Sequence, residues 1–188
     1  LLNSIDKIFC ISDHGRKYIE KQYPWAKQKL TTSRLGVKNN TINSGSKDGV
    51  FRIATCSYVT KRKRLDLLVK GIAQASSNLP KQIFEWHHFG DGPDMNDILQ
   101  ISEEILPPTV KKIFYGNFLN EDIIQYYNSE PIDLFMSVSE LEGIPVSIME
   151  AVAAGIPIIA TDVGGCGEIV SNDNGQLLSP NPTSNEIA

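Results

Sequence analysis

The fold is decided by residues 133 to 160, which read DLFMSVSELEGIPVSIMEAVAAGIPIIA. Two short apolar runs in this stretch, Asp133–Ser137 and Ile156–Ala160, predict strands. Pro145–Ala154 predicts a helix between them, because a proline suits its first position and Gly155 suits its end. Two strands joined by a helix form a βαβ unit, so the stretch predicts a parallel sheet.

The same alternation extends upstream to residue 51. Short apolar runs predict strands there, and segments with a helical spacing of apolar residues lie between them. The predicted strands are Phe51–Cys56, Ile83–Phe89 and Lys111–Tyr115, and the predicted helices are Lys61–Ser76, Met95–Leu106 and Glu121–Asn128. We therefore expect an α/β fold, a Rossmann-like parallel sheet with helices on both faces.

Residues 1–37 do not follow this alternation, and they predict a strand at Lys7–Ser12 and a helix at Arg16–Tyr23. The next segment, 38–49, is rich in Asn, Ser and Gly, which predicts a linker. We therefore expect 1–37 to be the remnant of a preceding domain and 50–188 to be a second domain.

Both ends of the chain are expected to be cut points in a longer protein. The chain runs almost at once into its first predicted strand. At the other end, Thr183 and Glu186 have the spacing of a capping box, the usual signal for a helix start, and the chain stops two residues after Glu186.

The composition excludes several classes of protein. Hydrophobic residues make up 41% and charged residues 21% of the 188, as in ordinary globular domains. The net charge of -4 argues against binding nucleic acid through its phosphates. Three distant cysteines, Cys10, Cys56 and Cys166, indicate a reducing, cytosolic setting rather than a disulfide framework. No apolar run approaches the ~18 residues of a membrane span and the start is unlike a signal peptide, so we expect a soluble intracellular chain.

Four consecutive cations, Lys61, Arg62, Lys63 and Arg64, follow the first strand of the predicted sheet. Loops after the strands of an open parallel sheet form its ligand sites. With Thr60 as the N-cap, the cations occupy the first turn of the next helix, where the helix dipole disfavours positive charge. They indicate either a bound anion nearby or a solvated basic patch.

A glycine-rich loop, Gly90–Pro93, follows the next strand, and taken alone it predicts a simple turn. A dinucleotide fingerprint needs a third glycine where Met95 stands, so a nicotinamide cofactor is poorly supported. His87 and His88 just before the loop, like the distant His14, lack the spacing of zinc ligands. We expect these histidines to pack in the fold, and we expect no metal site.

Two glutamates flank the start of the helix predicted at 145–154. Glu150 is its one carboxylate among apolar residues, and an ionised carboxylate on a buried helix is costly without partners. Glu142 lies just ahead of the helix, where it is either a simple N-terminal charge or a site residue. The backbone N–H groups around Gly143–Val146 suit a phosphate.

Taken together, these motifs resemble the C-terminal domain of retaining glycosyltransferases of the GT-B fold, and within them family 4. The resemblance covers about residues 51–188. It is carried by Glu142-Gly-Ile-Pro, Glu150-Ala, Gly155-Ile-Pro-Ile-Ile-Ala-Thr-Asp and Gly164-Gly with Glu168-Ile-Val, and supported by Lys63–Leu68, Gly90–Pro93 and Phe114–Asn117. Residues 1–37, with Ser12 and Leu35–Val37, resemble the end of the acceptor-binding N-terminal domain and the hinge. Domain 50–188 would then be the donor-binding domain, truncated at its end.

The resemblance implies roles for individual residues. Glu142 and Lys63 would be catalytic, with Glu142 beside the donor sugar and Lys63 on the diphosphate. Glu150 would hydrogen-bond the ribose of the donor. The other implied substrate-binding residues are Gly143, Ile144, Pro145 and Val146 near sugar hydroxyls and diphosphate, Gly90, and Asn117 and Phe118 where the nucleobase loop begins.

One position departs from the family pattern. Tyr58 stands where the family usually has an arginine, five positions before the lysine. The two-cation phosphate clamp is therefore incomplete, and Arg62 or Arg64 is expected to supply the second cation.

The resemblance implies a transferase that moves a sugar from a nucleotide-diphosphate sugar to a glycan or lipid-linked acceptor with retention of configuration. It implies no metal and no cofactor, a role in polysaccharide biosynthesis, and a cytoplasmic location that allows peripheral association with the inner face of a membrane. The acceptor would bind through the missing N-terminal domain, so the 188 residues alone are expected to be inactive. Two alternatives stay open: a GT-B-type sugar-nucleotide epimerase and a non-catalytic nucleotide-sugar-binding module.

Overall fold

The computed structural model describes residues 4–38 and 41–188. The first part of the chain forms a small unit. Its strands β1 (Ile8–Cys10) and β2 (Leu30–Thr32) pair in parallel, and helix α1 (Asp13–Gln22) and a 3₁₀ helix at Pro24–Lys29 connect them. Ser12 caps α1, because its hydroxyl accepts the N–H of Gly15 at 2.9 Å.

The larger unit is a six-stranded parallel sheet with helices between successive strands. Its strands are β3 (Val50–Cys56), β4 (Ile83–Phe89), β5 (Val110–Phe114), β6 (Leu134–Ser137), β7 (Ile158–Thr161) and β8 (Gly175–Leu178). Its helices are α2 (Leu65–Asn78), α3 (Met95–Ile105), α4 (Asn120–Ser129), α5 (Val146–Ala153) and the short α6 (Ser184–Ile187).

The strand order across the sheet is β5-β4-β3-β6-β7-β8, with every pair parallel. The chain starts in the middle, moves to one edge, then returns to build the other half from β6 outward. This is the doubly wound order, and it leaves a crevice where the order reverses, beyond the carboxyl ends of β3 and β6. The topology therefore points to a ligand site at that edge.

Both faces of the sheet carry a buried apolar cluster. Neighbouring residues of a strand point to opposite faces, and Ile53 and Ala54 of β3 belong to different clusters. The first cluster packs α2 on the sheet through residues such as Leu68, and the second packs α5 through Ile148. The predicted α/β fold with helices on both faces of a parallel sheet is confirmed.

The structure corrects the start of the helix predicted from Lys61. Lys61–Lys63 forms a separate 3₁₀ turn, and Arg64 takes a left-handed conformation with φ 51°, so α2 begins only at Leu65. The prediction that all four cations occupy the first turn of this helix is wrong. One residue in a left-handed conformation turns the chain and ends the 3₁₀ segment.

The start of α5 and the strand β8 differ from the prediction in smaller ways, and the start of α6 agrees with it. Pro145 is the N-cap of α5 rather than its first helical residue. The predicted capping box at Thr183 starts α6, because the Thr183 hydroxyl accepts the N–H of Glu186 at 3.3 Å. Strand β8 was not predicted, because its four residues GQLL carry too little apolar pattern to distinguish a strand from a loop.

Part of the segment predicted as a linker, residues 41–49, lies along the larger unit. The side chain of Asn43 donates to the carbonyls of Tyr127 and Glu130 and accepts the N–H of Ile132. Asp133 accepts the N–H of Ser46 at 2.7 Å. These bonds fix the segment against the ends of α4 and β6.

Glu168 joins the small unit to the larger one. Its carboxylate accepts the first N–H groups of α1, from Asp13 at 2.9 Å and His14 at 2.8 Å. The guanidinium of Arg34 donates to the same carboxylate at 3.0 Å. A carboxylate at a helix N-terminus satisfies orphan donors and complements the helix dipole, so Glu168 holds α1 against the larger unit.

Candidate functional site

A cavity of about 430 Å³ opens beyond the carboxyl ends of β3 and β4, beside the reversal of strand order. Its walls come from the loops that follow β3, β4, β5 and β6, from the start of α4 and from the first half of α5. The predicted site residues that line it are Lys63, Gly90, Asn117, Phe118, Glu142, Ile144, Pro145, Val146 and Glu150. The fold thus gathers residues that lie up to 87 positions apart in the sequence (150 − 63).

An ion pair sits in the wall of the cavity. Lys63 Nζ lies 2.6 Å from Glu142 Oε1, and 27% and 12% of the two side chains are exposed. The lysine comes from the 3₁₀ turn after β3, and the glutamate comes from the loop before α5. A charge-assisted bond at this distance fixes both groups, so a cation is held ready where a ligand enters.

Two glycines allow the loop carrying Glu142 to lie where it does. Gly164 has φ +57°, and a Cβ on it would collide with the carbonyl oxygen of Glu142. The N–H of Gly165 donates to the carbonyl of Gly143 at 2.8 Å. Backbone therefore packs directly on backbone, which only glycine permits here.

Glu150 is 6% exposed, and it lies on α5 with apolar neighbours. Its Oε1 accepts a hydrogen bond from Asn120 Nδ2 at 2.7 Å. The amide thus supplies one of the partners that a buried carboxylate needs. Asn120 also lines the cavity, and sequence reasoning missed it because an asparagine at the start of a helix is an ordinary helix-start residue.

Burial keeps the cysteine of this site neutral. Burial, and after it the negative charge of Glu150, raises the pKa of Cys56 to about 11. The pKa of Cys166 is likewise raised to about 11, first by burial and then by the charge of Glu142. Thiolates are the reactive form, so neither cysteine is suited to act as a nucleophile.

Aromatic rings form one end of the cavity. The rings of Phe89 and Phe118 lie 5.7 Å apart, and Tyr115 stacks on Phe89 at 4.6 Å. Phe118 is 37% exposed, so part of its ring remains available to a ligand. A flat heterocycle can pack against such a surface.

Gly90 has a structural reason to be glycine. Its φ is +123°, and a Cβ would collide with the carbonyl oxygen of Ser57. The ends of β3 and β4 therefore approach closely at the cavity wall. Gly90 therefore contributes backbone atoms, and no side chain, to the wall of the cavity.

A second cavity of about 580 Å³ adjoins the first and shares Tyr58, Lys63 and Glu142 with it. Arg62 and Gly143 line this second cavity, not the first. Tyr58 is 66% exposed. Arg62 therefore lines the same cavity as Lys63, Glu142 and Tyr58.

Arg64 does not line either cavity, which corrects the expectation that it could bind diphosphate. Its guanidinium donates to the carbonyls of Val138 at 2.6 Å, Ser139 at 2.7 Å and Pro180 at 2.9 Å. The left-handed turn at Arg64 directs this side chain toward the ends of β6 and β8. It ties those loops together instead of facing a ligand.

The histidines of β4 are packing residues, as expected. Burial lowers the pKa of His88 to about 4, and its Nδ1 lies 2.8 Å from the hydroxyl of Thr55. His87 contacts Glu85 and Tyr115. In residues 4–38 and 41–188, no group of three or more His, Cys, Asp and Glu side chains is arranged to hold a metal ion.

None of the helices in the described part of the chain has the length and apolar character needed to cross a membrane.

Comparisons with solved structures show the same fold. HepE of Anabaena, solved with UDP and glucose, superposes with a TM-score of 0.78 over 97% of this chain and 51% of that one, at 21% identity. TarM of S. aureus, solved with UDP, superposes with a TM-score of 0.81 over 99% and 36%, at 21% identity. The solved structures that this chain resembles are GT-B glycosyltransferases, and the chain shares their α/β fold over part of their length.

Curated relatives show a sequence relationship. The O-antigen biosynthesis glycosyltransferase WbnH of Escherichia coli is 28% identical over 173 residues, which are 92% of this chain and 46% of that protein. The lipopolysaccharide 1,6-galactosyltransferase of E. coli K12 is 30% identical over 169 residues, 77% of this chain and 44% of that protein. The chain thus spans about half the length of the curated relatives it matches.

The sequence profile of the family described as glycosyl transferases group 1 matches residues 50–188, the whole of the six-stranded unit and its helices. The chain belongs to this glycosyltransferase family.

Proposed function

We propose that this chain is the donor-binding part of a retaining glycosyltransferase of family 4. It would take a sugar from a nucleotide-diphosphate sugar and pass it to a glycan or lipid-linked acceptor, with no metal and no cofactor. One observation supports this most strongly: Lys63, Glu142 and Glu150 line one cavity at the ligand-binding edge of the sheet.

The leaving group is a diphosphate, on which negative charge grows as the bond to the sugar breaks. Lys63 supplies a cation at that place, and the first N–H groups of α5 supply partial positive charge. Arg62, in the adjoining cavity, adds a second cation where Tyr58 offers none. These groups are fixed before the reaction, so they need little reorganisation when the charge appears.

The nucleoside part of the donor would occupy the other end of the cavity. Glu150 would accept hydrogen bonds from the ribose hydroxyls, and bonds to a charged acceptor are stronger than neutral ones. The base would pack against Phe118 beside Asn117. Glu142 would face the donor sugar, between the part of the cavity that holds the ribose and the place where the acceptor binds.

Retention of configuration follows if the acceptor hydroxyl attacks on the face from which the diphosphate leaves. The bond from the anomeric carbon to the diphosphate oxygen breaks, a bond to the acceptor oxygen forms, and the acceptor proton passes to the departing diphosphate. The acceptor would be held by a preceding domain, of which residues 1–37 would be a part. By itself the 188-residue chain would then bind a donor without transferring its sugar.

The setting would be cytoplasmic assembly of polysaccharide, at the inner face of a membrane when the acceptor is lipid-linked. The two E. coli relatives are named for O-antigen biosynthesis and for lipopolysaccharide, which supports a glycan product. Their names differ in the product, so they do not fix the acceptor of this chain.

Calorimetry with UDP, GDP and ADP tests the proposal. We expect at least one of them to bind, and Glu150→Gln to weaken that binding roughly tenfold, a loss of about 1.4 kcal/mol. Glu104→Gln on the exposed side of α3 is the matched control and should bind as the original chain does. Equal affinity in the Glu150→Gln variant and the original chain would refute the assignment of Glu150.

A further inference from the structure

Asn120 is placed to control the carboxylate of Glu150. It is the first residue of α4, Glu150 lies on α5, and the two are 30 positions apart in sequence. Asn120 Nδ2 lies 2.7 Å from Glu150 Oε1, and both side chains line the same cavity. The bond therefore joins two helices at the point where a ligand would enter.

An asparagine is chemically suited to hold this carboxylate. A glutamate side chain has several rotatable bonds, so an unrestrained carboxylate samples many orientations and loses entropy when a ligand fixes it. The amide donor restrains it in advance. The amide is neutral, so it adds no positive charge beside Glu150, whereas a lysine or arginine in its place would.

Two titratable groups near Glu150, on β3 and α4, carry no charge of their own. The thiol of Cys56 on β3 stays neutral, since its pKa is about 11. The phenol of Tyr127 on α4 is also neutral, because burial raises its pKa well above the usual range. The charged groups that line the cavity are Lys63 and Glu142, which pair with each other, and Asp91.

We propose that Asn120 is a positioning residue for Glu150, which aims the carboxylate at the ribose hydroxyls of the donor. The inference rests on the proposed function, since it takes the ligand of Glu150 to be the ribose. Neither the residue nor its bond is implied by the motifs that define the site. Asn120 acts on the ligand indirectly, by orienting the carboxylate of Glu150.

The Asn120→Asp variant should position the Glu150 carboxylate only at low pH. In the Asn120→Asp variant, the new carboxylate lies as close to the carboxylate of Glu150 as the amide did. Two such carboxylates repel each other when both are ionised, and they share a proton when the pH falls. The shared proton restores a hydrogen bond between the two side chains. Cys56 and Tyr127 stay protonated across pH 5 to 8, so they add no charge change in this range.

The experiment measures the affinity of the 188-residue chain for UDP by calorimetry at pH 5, 6.5 and 8. The UDP affinity of each variant is divided by that of the original chain at the same pH. This ratio removes the effect of protonation of the UDP phosphates, which is the same for both proteins. We expect Asn120→Ala to bind roughly fivefold more weakly at every pH. We expect Asn120→Asp to bind about 30-fold more weakly at pH 8 and within about threefold of the original chain at pH 5.

Asn128→Asp is the matched control, because it makes the same change on the same helix. The Oδ1 of Asn128 accepts the N–H of Thr41 at 3.1 Å, and an aspartate keeps that acceptor. We expect this variant to match the original chain at all three pH values. Circular dichroism establishes that each variant is folded.

The outcomes separate two failures. If Glu150→Gln binds UDP as well as the original chain does, the proposed function fails. If Glu150→Gln weakens binding but Asn120→Asp shows no loss at pH 8, the positioning role of Asn120 is refuted. A loss in Asn120→Asp that acid does not reverse would also overturn it, because a shared proton must restore the bond.

Discussion

Replacing Lys63 by methionine removes the cation of the cavity while keeping the length of the side chain. A unit charge 4 Å from a phosphate contributes about 4 kcal/mol at an effective dielectric constant of 20. Lys63 is 27% exposed and already paired with Glu142 at 2.6 Å, so water and the glutamate screen a large part of this. If half of this electrostatic free energy is screened, ~2 kcal/mol is left, and its loss predicts that UDP binds about 30-fold more weakly.

Part of that loss comes from Glu142, which stays in the wall without its partner and repels a diphosphate. The double variant Lys63→Met with Glu142→Gln should therefore recover several-fold in UDP affinity over Lys63→Met alone. Lys81→Met, an exposed lysine outside both cavities, makes the same change in net charge and should bind UDP normally.

The assay is calorimetry with UDP and with uridine on the same samples. Uridine has no phosphate, so we expect Lys63→Met to bind it as the original chain does. Two results would refute the reasoning: an unchanged affinity for UDP, or an equal loss for UDP and uridine. The second would mean that the variant has damaged the cavity rather than removed a phosphate contact.

The junction at Glu168 and the backbone contact at Gly164 give three more predictions. Glu168→Gln removes the charge at the start of α1, so the amide of Asp13 should exchange with solvent roughly tenfold faster by NMR. Burial alone would raise the pKa of Glu168, but the N–H groups of Asp13 and His14 hold it below the usual range. Its stabilisation is therefore complete above the ordinary glutamate pKa and is lost as the pH falls through the lowered pKa. The protection factor of the Asp13 amide, in which the intrinsic pH dependence of exchange is divided out, should fall over the same pH range. A protection factor that does not change with pH contradicts this. Gly164→Ala forces a Cβ against the carbonyl of Glu142 and should cost about 1–3 kcal/mol in urea unfolding, with weaker UDP binding; unchanged values would refute the close packing.

Patterns that repeat along the chain predicted five of the six strands of the sheet, β3 to β7. The strand β4 was predicted with the bounds that the structure gives, Ile83–Phe89, because seven mostly apolar residues end at a glycine. The loops after the strands meet at one edge by topology, and the family resemblance implied that Lys63 and Glu142 share a site there.

The features that were missed depend on single residues or on long-range contacts. The left-handed turn at Arg64 has no signature in a run of four cations, so the helix start was set too early and the side chain was given the wrong role. The bond from Asn120 to Glu150 spans 30 positions, and that from Glu168 to Asp13 spans 155. Local periodicity carries no information about such pairs.

A structure of the chain with UDP bound tests the account most directly. It should place the outer phosphate within about 3.5 Å of Lys63 Nζ and the ribose hydroxyls within hydrogen-bond distance of the Glu150 carboxylate. UDP bound in the reverse orientation, or outside the cavity between α4 and α5, would contradict the account.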